Sequence, residues 1–288
     1  MTTHTTSPAG STAALTTEQR EQYARDGYVV LPSLYSVQET AAMAAESDRL
    51  ADLLVNASLA TGEVSPRVDL RSRPEGAVLL KVQPLADVSP VLKDVSEDDR
   101  LLRPMRDLLG CEPLLLEEKL NGKELLDCDL GDLPVRPSSD AFPWHTDFHY
   151  FYLDGYPPET LSSAIAIDAC TRENGALRVV PGSHLREWPL ASSWPPYLDG
   201  ASFPEQDQVY LECPAGTVVL FHSKLAHASS PNTTSDPRRL LIYSHYPSTH
   251  DVPPDVRNRP LREQAQAHER RYDEALTRGY RPVDVRRR

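Results

Sequence analysis

The chain predicts a mainly β fold, a jelly roll or barrel with helices packed on one outer face. Short strand-like runs recur over 144–152, 161–168, 176–180, 208–211, 217–222 and 239–246. Glycine, proline and asparagine punctuate them, and proline is abundant, 26 residues against 13 glycines. Helix signals gather ahead of these runs, in the first 110 residues. Many short strands with rigid turns between them build sandwiches and barrels.

Taken in order, residues 1–14 (MTTHTTSPAGSTAA) read as a disordered tail, and one domain is expected over 15–250. The tail has neither the basic nor the apolar segment of a secretory signal, so a cytoplasmic location is expected. Thr16-Thr17-Glu18-Gln19 has the spacing of a capping box, opening a helix that should end before Gly27. Tyr28 to Leu31 reads as a strand stopped by Pro32. Ser36 to Glu39 is a second capping box, opening a helix to about Val55 whose apolar face carries Met43, Leu50 and Leu54. Residues 56–76 lack a period and read as a loop. A strand over 78–82 and a helical stretch over 90–109, ending at Gly110, follow. Residues 114–125 predict a strand bearing Glu117, Lys119, Asn121 and Lys123. Beyond the domain, 251–288 reads as a basic extension with one solvated helix over 260–277.

Net charge −12 and a pI near 5.2 argue against non-specific nucleic-acid binding, so no nucleic-acid partner is expected. No apolar run approaches the roughly 20 residues that span a bilayer, so no membrane partner is expected. The four cysteines form no CxxC pair, which fits reduced thiols better than a disulfide scaffold or zinc ribbon. The expected partner is a small-molecule substrate, for a monomer or homodimer.

The segment PWHTDFHYF (143–151) brings metal-capable side chains together among aromatics. If it is a strand, His145 and Asp147 share a face at i and i+2 and offer an imidazole and a carboxylate to one point. One more histidine would complete the 2-His-1-carboxylate set that leaves positions open on a non-haem Fe(II). His222 and His227 are both candidates. His227 is the better placed, because Ala228-Ser229 after it leaves room beside a metal. An iron with open positions can take a 2-oxo acid, whose remote carboxylate would want an arginine. Arg238 opens the apolar run after the Pro231–Pro237 turn, and Arg239 would point the other way.

These blocks together, HTDFHYF, ENGALRVVPGSH and HASSPNTTSDPRR, resemble the phytanoyl-CoA dioxygenase family. QYARDGYVVLP near the front and Leu80-Lys81-Val82-Gln83 fit as well, so the resemblance covers about 15 to 247. It implies a double-stranded β-helix (jelly roll, cupin-like) and an Fe(II)-dependent oxygenase with 2-oxoglutarate and O2 as co-substrates. It makes His145, Asp147 and His227 the iron ligands, Arg238 the clamp on 2-oxoglutarate with Ser229 beside it, and Lys81 a further contact. Lys119, Asn121 and Lys123 fall where the family has another contributing strand, but Lys123-Glu124-Leu125 departs from its usual lysine-proline-proline. His149, Tyr150, Phe151, Tyr152 and Trp188 are candidate substrate contacts, the last on a lid over 184–210. The implied reaction is attack on an unactivated C–H of a small molecule in a bacterial natural-product pathway, such as antibiotic biosynthesis. Hydroxylation is the default, with epimerisation, ring closure or desaturation as variants. The alternatives are an acyl-CoA hydroxylase of the family, a divalent-metal hydrolase, or a non-catalytic barrel.

Overall fold

The computed structural model describes residues 14–253 and 255–287, so the tail expected over 1–14 lies, except for its last residue, outside the described residues. Helix α1 (Thr17–Asp26) starts at the Thr16 capping box and stops at Gly27, whose left-handed φ of 82° ends the turn. Strand β1 (Tyr28–Leu31) leads to α2 (Val37–Thr61), which starts at the Ser36 capping box. Helix α2 runs past the expected end at Val55, because Leu54, Val55 and Ala57 are buried and tertiary packing extends it.

The expected loop over 56–76 instead ends that helix and then forms β2 (Val68–Arg73), which pairs with β3 (Gly76–Val82). The expected single helix over 90–109 is two, α3 (Pro90–Ser96) and α4 (Asp99–Leu109). Asp98 caps the second one through the Arg100 amide and so breaks the run. Then come β4 (Pro113–Gly122), β5 (Leu126–Asp127), β6 (Arg136–Pro137), β7 (Phe142–His145) and the short helix α5 (Phe148–Phe151). Strands β8 (Leu161–Ala166), β9 (Leu177–Val179), β10 (Val209–Tyr210), β11 (Val218–His222), β12 (His227–Ser229) and β13 (Arg239–Pro247) complete the barrel. The chain ends with α6 (Arg259–Thr277) and β14 (Arg286–Arg287).

A large sheet, ordered β1-β11-β8-β13-β4-β3-β2-β6, faces a small one, β10-β9-β12-β7, and the two sheets make a jelly roll. Strand alternation divides the core. Leu241, Tyr243, Val218 and Leu220 face the helices, where Leu50 and Leu54 of α2 meet them. Leu240, Ile242, Val219 and Phe221 face the small sheet. Strands β8 and β13 are therefore buried along their whole length, as apolar strands covered on both faces must be. Helix α6 packs on α2, and β14 pairs with β5. Arg67, buried beneath the α6 contact, is held by Asp87 at 2.7 Å and by Glu269 of α6. The C-terminal helix, expected to be solvated, is thus docked by charge as well as by Ala265 and Tyr272.

Candidate metal centre

The expectation of one strand over 144–152 is corrected, because β7 ends at His145 and α5 begins at Phe148. Asp147 between them has helical angles, φ −61° and ψ −33°. The Tyr150 and Phe151 amides bond back to the Asp147 carbonyl at 3.0 and 3.1 Å, closing a helical turn where a ladder was expected. His145 and Asp147 therefore converge because the chain leaves the strand between them.

Strand β12 lies antiparallel to β7 with His227 opposite His145, and the two ring centroids are 4.1 Å apart. Ligand atoms of His145, Asp147 and His227 all lie within 4.8 Å of one another, so the three could hold a metal ion. Each imidazole donates its Nδ1–H to a carbonyl two residues back, His145 to Pro143 at 2.7 Å and His227 to Leu225 at 2.9 Å. A carbonyl can only accept, so both rings keep a free Nε2 lone pair. Burial depresses both histidines, His145 to about 3, and keeps them neutral as ligands must be. Asp147 Oδ2 accepts from Ser162 at 2.8 Å. Burial alone would raise the Asp147 carboxyl, but the Lys119 ammonium beside it holds it below the usual range.

The cluster opens into a cavity of about 490 Å3 between the sheets. Arg238 lines its floor and is 1 % exposed, yet forms no ion pair among the described residues, and its Nε has no hydrogen-bond partner. Burial pulls its guanidinium down to about 10, so it is still charged at neutral pH. A buried cation without a partner costs several kcal/mol unless an anion joins it. Asn121, whose Oδ1 has no partner, and Ser229 line the same cavity. Two neutral imidazoles and a carboxylate, facing a cavity with an unpaired arginine, fit Fe(II) and a dicarboxylic co-substrate.

Of the other expected contacts, Lys81, Lys119, Tyr150 and Phe151 line the cavity. Lys123 does not; it lies beneath the cavity floor and donates to the Ser230 carbonyl. Gly175 permits that arrangement, because a side chain there would meet the Ser230 carbonyl at 2.5 Å on a backbone of φ +84°. His149 and Tyr152 lie outside the lining because the α5 turn rotates them away, His149 onto Thr146 at 2.6 Å and Tyr152 into solvent. Trp188 also lies outside it, packed on Phe203 and donating to Ser183. His222 stacks on His184 instead of joining the cluster. Sequence reasoning missed Ser162, Arg257 and a site role for Glu117, while Trp194 and Tyr197, aromatics of the lid expected over 184–210, do line the cavity. The alternation Glu117-Lys119-Asn121 on one strand face was the signal for Glu117, while no local pattern marks Arg257.

An ectoine dioxygenase from Bordetella parapertussis is 26% identical over 261 residues, covering 83% of this chain and 79% of that one. A crystal structure of EctD from S. alaskensis with 2-oxoglutarate and 5-hydroxyectoine superposes with a TM-score of 0.64 at 25% identity, covering 87% of this chain and 82% of that one. The epimerase SnoN, in complex with Fe3+, alpha ketoglutarate and nogalamycin RO, gives a TM-score of 0.62 at 22% identity, covering 93% of each chain and showing the shared fold. The family model for phytanoyl-CoA dioxygenase (PhyH) matches residues 23–240, from α1 to the start of β13, and the chain belongs to that family.

Proposed function

We propose that this enzyme oxidises an unactivated C–H of a small polar molecule in a natural-product tailoring step, with His145, Asp147 and His227 holding the iron. It is a non-haem iron, 2-oxoglutarate-dependent dioxygenase. Fe(II) with 2-oxoglutarate and O2 supplies the oxidising power, the co-substrate leaving as succinate and CO2. The observation that carries this reading is the buried, unpaired Arg238 in the same cavity as the His-Asp-His cluster. Arg238 takes the remote carboxylate of 2-oxoglutarate, with Ser229 and Asn121 beside it. Ser162 fixes the Asp147 carboxylate, and the two carbonyl-anchored imidazoles present their Nε2 atoms without rotation. Phe221, Ile242 and Leu240 keep the inner wall dry. Tyr150, Trp194 and Tyr197 line the cavity together, and the Tyr150 and Trp194 rings are 5.9 Å apart.

Retention of Asp147 favours hydroxylation over halogenation, since a halide would need that coordination position. A compact polar substrate of the size of ectoine, which names the B. parapertussis relative, fits a cavity lined by Glu117, Lys119, Gln83 and Arg257 better than a fatty acyl chain does. Anaerobic titration with Fe(II) and then 2-oxoglutarate tests the reading. It should raise a weak visible charge-transfer band that saturates at one equivalent of each. Folded protein with no such band would remove the basis for the oxygenase mechanism.

A further inference from the structure

The family match ends at residue 240, yet a side chain 17 positions later lines the reaction cavity. Arg257, in the turn before α6, donates through Nε to Glu117 of β4 at 2.8 Å and through Nη1 to Asp154 after α5. Its guanidinium lies over the Phe151 ring, 5.1 Å from the centroid. Its neighbour Asn258 is 4 % exposed and bonds the Leu116 carbonyl at 3.0 Å, and α6 beyond it docks on α2. The turn is thus pinned immediately after Arg257.

Glu117 is largely occupied. Oε1 accepts from Arg257 and from Gln83 at 3.1 Å, and Oε2 accepts from Lys119 at 2.6 Å. Three donors on about four acceptor sites leave a ligand at most one acceptor, on Oε2. Lys119, whose ammonium is 3.9 Å from Asp147 Oδ1, brings three N–H donors and commits one of them to Glu117. Charge on this wall is unbalanced as well. With Asp147 committed to the metal, Lys81, Lys119 and Arg257 are three cations set against the two carboxylates Glu117 and Asp154, because Asp69 is held by Arg71 at 2.6 Å. Lys81 forms no ion pair among the described residues. A wall rich in donors and one positive charge in excess complements an anion, above all a carboxylate.

We propose that the C-terminal extension is a working part of the active site, in which Arg257 is a specificity-determining residue. With Lys119 it receives a carboxylate of the primary substrate on the wall beside the metal cluster. This rests on the oxygenase reading above, and it assigns Arg257 to the primary substrate and not to 2-oxoglutarate, which Arg238 holds.

The test uses full-length protein loaded anaerobically with Fe(II) and 2-oxoglutarate, with sodium acetate as the carboxylate probe and sodium chloride at equal ionic strength as the control. Acetate should shift the charge-transfer band of the wild-type chelate saturably, without bleaching it, and chloride should not. Arg257→Met should need at least ~10-fold more acetate, about the loss of one charge-assisted hydrogen bond, and should bind 2-oxoglutarate within about twofold of wild type. Arg257→Lys, which keeps the charge and loses the fork, should fall between the two. Absence of a band in wild-type protein would sink the oxygenase reading. With the band present, three results would each overturn this proposal alone. They are an acetate response no different from chloride, bleaching that shows acetate acting at the co-substrate position, and equal acetate affinity in wild type and Arg257→Met. Should Arg257→Met fail to fold by near-ultraviolet circular dichroism, the wild-type and Arg257→Lys titrations decide the matter.

Discussion

Arg238 and Arg239 are adjacent in the chain, and both are nearly buried, yet they live on opposite sides of one strand. Arg239 turns to the helix side, where Asp168 takes its fork at 2.7 and 2.8 Å and Asp48 takes a further donor at 2.9 Å. Arg238 turns into the cavity, forming no ion pair among the described residues and leaving its Nε without a hydrogen-bond partner. The contrast separates two uses of one side chain. Arg239 is complete within the folded chain and serves the fold. Arg238 has no ion-pair partner among the described residues and, on the proposed reading, serves the reaction. A buried charge the protein leaves unpaired is therefore stronger evidence of a ligand than a buried ion pair.

The largest expected effect breaks the structural member of that pair. Arg239→Ala should lower unfolding free energy by about 3 kcal/mol, the usual cost of breaking a largely buried ion pair, here with Asp168, which keeps only the backbone amide of residue 239. Urea denaturation would read this, with 2-oxoglutarate affinity retained in the folded fraction. Next, Arg238→Ala should raise the 2-oxoglutarate requirement about 100-fold, the scale of a lost bidentate carboxylate clamp of ~2.7 kcal/mol. Iron stoichiometry and stability should hold, since the residue removed had no protein partner. Parallel loss of iron and stability would assign Arg238 to the fold instead.

The smallest effect sharpens the comparison through Lys123, behind Arg238. Burial first, and then the Arg238 charge, pull its pKa down to about 6, against about 10.4 in an unfolded chain. Between those values the unfolded state binds a proton that the folded state does not. Wild-type stability therefore rises with pH across that window, and below pH 6 the burial penalty is felt in full. Lys123→Met should stabilise the protein most near pH 6, with the gain shrinking toward pH 10. Melting temperatures across that range would show it, and a gain independent of pH would mean Lys123 stays protonated in the folded protein as it does in the unfolded chain.

Much of this was legible locally. The two capping boxes placed α1 and α2, because a cap is read from four consecutive residues. The opposite facing of Arg238 and Arg239 followed from the two-residue period of a strand. The family blocks pointed to His145, Asp147, His227 and Arg238, which the fold brings to one cavity. The error over 144–152 was also local in origin. Aromatic residues favour strands, but the bonds from Tyr150 and Phe151 to Asp147 override that preference and turn His149 and Tyr152 outward.

By itself the sequence determined the kinds of groups at the centre, two imidazoles, a carboxylate and a lone arginine, and the strand faces that carry most of them. Only the tertiary structure decided how those groups are supported and what closes the cavity. Ser162 of the large sheet reaches Asp147 just past β7 of the small one, and Arg257 reaches Glu117 across 140 residues of chain. Local periodicity records which way a side chain points. It holds no record of which distant residue will stand opposite, because that depends on sheet register and on the docking of α6.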